Sequence, residues 1–319
     1  MTNIGLMDVD GHGHFPNIPL MKISRWYKQR GCNVMFYTPF DEYEKVYMSK
    51  IFTFTRDYPY PINNAKEIVK GGTGYDFRTV LPTEIDRTQP DYSLYPWIDK
   101  RTAYGKLTSG CPNNCSWCIV PKKEGKILPY MDIEEIAIEG RNKIILIDNN
   151  LIASRDYALL QFDKIIHKKY RIDLNQANDA RLITRDIAKI LAKVKWINNM
   201  VRFGCDTRGQ IEPCKRVIDW LREFGFHGCV ELYTMIHGDI QECYDRISMW
   251  KDYCGHRIVI RCQSQPMLDF NKTCQNIPQW QRDLARWSNR KEIYASVDFK
   301  DYQPRKGFKC GTYFNQNIT

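Results

Sequence analysis

Between residues 103 and 262 the chain alternates short apolar runs with stretches of helical period, and this alternation constrains its fold more than any other feature. The apolar runs lie at 103–108, 143–148, 170–176, 200–206, 229–236 and 257–262. Between them, 132–139, 157–167, 184–195, 214–224 and 240–253 repeat apolar residues at helical spacing. Strand and helix in strict turn read as a parallel sheet with helical crossovers. Six such units predict an α/β fold, a parallel α/β barrel or an open one. In barrels of this kind chemistry gathers at the carboxyl ends of the strands. The polar residues expected there are Asp148, Asn149, Asn150, Asn175, Gln176, Asp179, Arg181, Asp206 and Arg261. Each also suits a cap or a turn.

The first of these strands runs into Ser109-Gly110-Cys111-Pro112-Asn113-Asn114-Cys115-Ser116-Trp117-Cys118. Thiolates suit iron–sulfur clusters and zinc. Three of them can hold three irons of a four-iron cluster and leave the fourth iron open. The same spacing is one face of a helix, which would make these core cysteines, but Gly110, Pro112, Asn113 and Asn114 are loop residues. A zinc ribbon wants a second, closely spaced pair, and none follows. Nine further cysteines are scattered singly and read as small buried hydrophobes. Cys254, Cys262, Cys274 and Cys310 among them match no compact ligand spacing that would mark an auxiliary cluster.

Cys111-x3-Cys115-x2-Cys118, with Trp117 before the last cysteine, resembles the cluster motif of the radical S-adenosylmethionine (radical SAM) superfamily. The resemblance spans 100–265, with motif detail confined to 109–125, and implies a partial, TIM-like (β/α)6 barrel with the cluster loop after its first strand. It implies a 4Fe-4S cluster on Cys111, Cys115 and Cys118, with S-adenosylmethionine chelated at the open iron. It implies reductive cleavage to methionine and a 5′-deoxyadenosyl radical, and an electron donor such as a flavodoxin or ferredoxin. Carried over from the family, cofactor contacts fall on Trp117, Asp148, Asn149, Gln176 and Arg181. Ile119-Val120-Pro121, followed by Gly125, further resembles the methylthiotransferase branch, which modifies tRNA or protein. That branch holds a second cluster on three amino-terminal cysteines, and here the first hundred residues contain only Cys32.

The amino-terminal stretch reads as a small Rossmann-like or flavodoxin-like α/β domain over 1–97. A strand at 4–9, a helix at 20–30, a strand at 34–37 and a third strand candidate at 51–54, into which 45–48 leads, make up the pattern. The loop from Asp10 to Asn17 carries His12 and His14, which read as backbone-bonded loop histidines. This stretch resembles a shortened cobalamin-binding domain, with Gly71-Gly72 and Leu81-Pro82-Thr83-Glu84 standing for its glycine-rich loop. Cobalamin is therefore a further candidate cofactor. The family's Asp-x-His-x-x-Gly motif is not reproduced, since Phe15 stands where Gly is expected. The expected divisions are 1–97, the barrel at 98–265, and a covering segment at 266–319.

A net charge of +10 suits an anionic partner such as nucleic acid, or simply a solvated basic surface. Lys122, Lys123 and Lys126 beside the cysteines are the most suggestive group. In the tail, Phe270, Trp280, Trp287, Tyr294, Phe299, Tyr302, Phe308, Tyr313 and Phe314 interleave with basic residues. Such a segment either stacks bases or closes the barrel's open side. No apolar run reaches membrane-span length and residues 1–9 lack a signal peptide's pattern, so a cytoplasmic protein is expected. The rival from another class is a zinc or iron–sulfur module that binds nucleic acid without catalysis.

Overall fold

The computed structural model describes residues 2–11, 15–253, 259–268 and 276–315. The chain forms two compact units, 1–104 with 270–274, and 105–269 with 275–319. The tail that the sequence sets apart thus packs as part of the second unit.

In the first unit, strands β1 (Asn3–Asp8), β2 (Asn33–Phe36), β3 (Tyr43–Ser49) and β4 (Ala65–Gly71) form one parallel sheet in the order β2-β1-β3-β4. Helix α1 (Ile18–Lys28) makes the first crossover. Its cap is Asn17, whose side chain accepts from Leu20 N at 3.3 Å and donates to Ser49 Oγ at 2.9 Å. Leu20, Met21, Ile23 and Ser24 form its buried face.

The third strand differs from expectation. It is Tyr43–Ser49, and residues 51–54 leave the sheet. The cause is Asp10, whose carboxylate accepts from Ile51 N, Phe52 N and Thr55 Oγ1 and draws the chain into a turn. Phe52 and Phe54 therefore stack on each other, exposed, at 5.1 Å. The edge strand β4 escapes an apolar reading because most of its residues face solvent. His12 and His14 lie outside the described residues.

The second unit opens with β5 (Thr102–Gly105), within which the division between the units falls. A short antiparallel pair, β6 (Thr108–Ser109) and β7 (Leu128–Pro129), closes the base of the cysteine loop. Strands β8 (Lys143–Leu146), β9 (Arg171–Leu174) and β10 (Lys195–Trp196) form a sheet in the order β10-β9-β8-β5. Strands β11 (Met200–Gly204), β12 (Cys229–Ile236) and β13 (Val259–Pro266) form a second, parallel sheet. A bridge between Asn178 and Phe203 joins the two sheets. Arg202 reinforces the join, pairing with Asp173 of β9 and, at 2.7 Å, with Glu231 of β12. The six strands expected from the alternation are all present.

Helices cover the sheets through apolar stripes. On α2 (Ile211–Glu223) the buried residues are Cys214, Val217, Ile218 and Leu221, which is the i, i+3, i+4, i+7 pattern. Each such side chain contributes about 1.5–3 kcal/mol on burial. Helix α3 (Ile240–Tyr253) lies over β13, as does α4 (Gln279–Ser288). In the tail Trp280, Trp287, Tyr294, Phe299 and Tyr302 are buried, so their ring faces are used in packing. No helix among the described residues is long and apolar enough to cross a membrane.

Asp91 gives the first unit an acid-sensitive point. Burial pushes its carboxyl up, but bonds from Lys28, Ser93 and Ser24 outweigh this and hold it at about 2, below the ordinary 3.8. A depressed carboxyl contributes stability above its unfolded value and loses it as pH falls through its folded value. The stability advantage of wild type over Asp91→Asn should be constant above about pH 4 and shrink between about pH 4 and 2. Denaturant titrations across that range would show it, and a difference that does not change with pH would contradict it.

Candidate cluster site at the mouth of the second unit

The site begins at Asp148, two residues past β8. Its fully buried carboxylate accepts from Leu107 N at 3.0 Å, Thr108 N at 2.6 Å and Thr108 Oγ1 at 2.7 Å. These bonds fix the point where the chain leaves β5 and turns toward the cysteines. Burial dominates its ionisation and raises its carboxyl to about 6.

Residues 110–119 are loop and turn, so the helical reading of the cysteine spacing does not hold. Cys118 N donates to Cys115 O at 3.0 Å and Cys111 N to Gly125 O at 3.2 Å. Gly110 has φ +86°, and a Cβ there would stand 2.3 Å from Lys126 O. Only glycine fits this close approach. Asn113 Nδ2 donates to Asp179 Oδ2 at 2.9 Å and ties the loop to the segment after β9.

Cys111, Cys115 and Cys118 are partly exposed, whereas Cys205, Cys214, Cys229, Cys243, Cys262 and Cys310 are buried. Cys262 is a core thiol against Tyr294 and Ile247, while Cys254 and Cys274 lie outside the described residues. Burial raises the Cys115 thiol, and the neighbouring Cys118 and Cys111 raise it further. Burial likewise raises Cys118, with Cys111 adding to it. Three cysteines in one tied loop, two of them with thiols raised by burial and by their neighbours, form a donor set suited to a thiolate-bound cluster. Among the described residues no three His, Cys, Asp or Glu side chains converge as ligands of a single ion would. A four-iron cluster does not ask this, because each thiolate binds a different iron.

Asn150 supplies a second sign of fit. It is buried, its Nδ2 lies 3.9 Å from Cys111 Sγ, and its Oδ1 has no partner. A buried acceptor without a donor is costly, and a bound group at the cysteines would relieve it. Arg181 grips Asp179 through two bonds of 2.8 and 2.6 Å, and its charge reaches Cys115 and Cys111. Asp206, past β11, accepts from Met235 N at 2.8 Å and acts electrostatically on Cys115 and Cys118. Fully buried Arg246 braces this rim by donating to Cys205 O and Met235 O, each at 2.8 Å.

The expected cofactor contacts therefore separate. Trp117 sits in the loop, 5.6 Å from the ring of His237. Arg181 lies within reach of the thiols. Gln176 is exposed just past β9. Asp148 is occupied with Leu107 and Thr108, and Asn149 Nδ2 donates to Glu124 Oε2 at 3.1 Å. Both of these shape the loop from behind. Glu124 and His237 were not singled out in the sequence. His237 directly follows the apolar run of β12, and that position is the signal that could have found it.

Asp148→Ala would strand two buried N–H groups and a hydroxyl. It is expected to cost about 3 kcal/mol in the unfolding of the second unit, and Asp148→Asn, which keeps an acceptor, less. Urea titration reads both. Wild-type stability in Asp148→Ala would remove the carboxylate from this role.

No protein-family model matches the chain. Ribosomal protein uS12 methylthiotransferase RimO from Clostridium perfringens is 32% identical over 99 residues, which are 31% of this chain and 20% of that protein. The Clostridium botulinum protein of the same name is 26% identical over 152 residues, 44% of this chain and 28% of that protein. The chain thus aligns with less than a third of the length of these relatives. In fold it is similar to the radical S-adenosylmethionine methyltransferase TsrM from Kitasatospora setae, a structure with cobalamin and a 4Fe-4S cluster bound. The TM-score is 0.59 at 12% identity, over 82% of this chain and 75% of that one. The chain thus shares its fold with a radical S-adenosylmethionine methyltransferase and a stretch of its sequence with uS12 methylthiotransferases.

Proposed function

We propose that this protein is a radical SAM enzyme whose second unit holds a 4Fe-4S cluster on Cys111, Cys115 and Cys118. The observation that carries the reading is the placement of three half-buried thiols in a tied loop beside a buried Asn150 whose Oδ1 lacks a donor. Bound there, the cluster would supply the electron that splits S-adenosylmethionine into methionine and a 5′-deoxyadenosyl radical, which takes hydrogen from the substrate.

The chain's own residues bind and orient. Cys111, Cys115 and Cys118 would hold the cluster, and a three-cysteine set would leave it able to take up the methionine end of S-adenosylmethionine. Arg181 is held by Asp179 where its guanidinium can meet a carboxylate. Asn150 Oδ1 can accept from an ammonium or a hydroxyl. Trp117 and His237 offer ring faces for the adenine, and Gln176 a polar edge for the ribose. Asp148 and Asn149 act by holding the loop. The polar rim and the barrel wall limit water around the reacting groups.

Similarity to the clostridial proteins, together with Ile119-Val120-Pro121 and the basic surface, favours a second, narrower reading. In it the enzyme transfers a methylthio group to a protein or tRNA. In the first unit the described residues form a packed edge. Positions that a Cβ would occupy at Gly72 and Gly74 are filled by Lys50 and Phe52, 2.3–2.7 Å away.

Anaerobic reconstitution should load about four irons per chain and give the broad visible absorbance of an iron–sulfur cluster. Alanine at Cys111, Cys115 or Cys118 should abolish it, whereas Cys205→Ala should not. A colourless protein that takes up zinc instead would overturn the reading.

A further inference from the structure

Glu124, six residues past the last motif cysteine, gathers donors from two other stretches of the chain on one oxygen. Its Oε2 accepts from Lys106 Nζ at 3.3 Å, Ser109 Oγ at 2.8 Å, Gly110 N at 2.9 Å and Asn149 Nδ2 at 3.1 Å. Lys106 to Gly110 lead into the cysteine loop, Glu124 lies on its returning limb, and Asn149 follows β8. The two limbs meet at this neck. Cys111 N donates to Gly125 O, and Gly110 stands against the carbonyls of Lys126 and Gly125. Alongside these backbone contacts, the Glu124 side chain fastens the two limbs of the neck to each other.

Its charge matters as well as its reach. Glu124 and Lys106 side chains are mostly buried, at 17% and 23% exposure, so solvent screens the pair only in part. The Glu124 charge is felt at Cys118. A carboxylate beside a thiolate-bound cluster adds negative charge to an anionic site, and Lys106 offsets it.

We propose that the Lys106–Glu124 pair is the positioning device of the cysteine loop, with Glu124 shaping the loop before any cluster is present and Lys106 balancing its charge beside the cluster. The charge half rests on the cluster reading above. The shape half does not.

Two measurements separate these halves. In the cluster-free protein, Gly110 N has Glu124 as its acceptor, so Glu124→Ala should speed hydrogen exchange at Gly110 by about tenfold. Glu124→Gln keeps a carbonyl acceptor and should retain most of the protection. Should Glu124→Ala not fold, Glu124→Asp, one methylene shorter, reads the same loss. In the reconstituted protein, the midpoint potential is followed by electron paramagnetic resonance. Glu124→Gln leaves Lys106 unbalanced and should raise the potential, and Lys106→Met leaves Glu124 unbalanced and should lower it. A merely structural pair would not move the potential in opposite directions. Unchanged exchange at Gly110 in Glu124→Ala overturns the shape half, and shifts of one sign, or none, overturn the charge half. If wild type takes up no cluster, the cluster reading falls with the charge half, and the exchange result still decides the shape half.

Discussion

The buried carboxylate of Asp148 is the contact on which the rest of the second unit's mouth depends. It sits just beyond β8 and accepts the backbone of Leu107 and Thr108, so one strand's end dictates where the neighbouring strand must turn. A carboxylate in such a place is expensive to bury and would be disfavoured without donors. Two N–H groups and a hydroxyl that point at it compensate in part, and the upward shift of its carboxyl to about 6 records the remaining cost. Once that turn is set, the β6–β7 pair, Gly110 and Glu124 close the neck. The three thiols are then presented at the strand ends.

Charged side chains recur at each joint of this unit. Arg202 spans the gap between the two sheets by pairing with carboxylates on β9 and β12. Arg246 caps two carbonyls at the rim. Such groups stabilise only when fully paired, and loss of one partner leaves a buried charge behind. The mouth therefore keeps its shape through directional bonds, while Leu221, Val217 and their neighbours supply the non-directional burial beneath it.

Much of this was legible because it follows from periodicity. Strands buried on both faces read as apolar runs, and helices with one buried stripe read at helical spacing, so the six longer strands of the second unit could be placed, whereas the two-residue strands β6, β7 and β10 could not. What periodicity does not carry was lost. β4 is an exposed edge strand with Lys66, Glu67 and Lys70 along it, and it has no apolar signature. Residues 51–54 are as apolar as a strand, yet Asp10, forty residues earlier in the chain, takes their N–H groups. The cysteines could be read because their spacing is itself the signal. Glu124 could not, since its partners Lys106, Ser109 and Asn149 come together only in the folded chain. Asp148 and Asn149 were seen as polar residues at a strand end, and only the structure shows them turned toward the loop.

The proposal that the cysteine loop holds a cluster that cleaves S-adenosylmethionine is tested most directly by 5′-deoxyadenosine formed when the reconstituted protein is mixed anaerobically with S-adenosylmethionine and a strong reductant. 5′-Deoxyadenosine and methionine are expected in equal amounts, lost when Cys111, Cys115 or Cys118 is replaced by alanine. A cluster-loaded protein that leaves S-adenosylmethionine intact, or cleavage that persists without those cysteines, would contradict it.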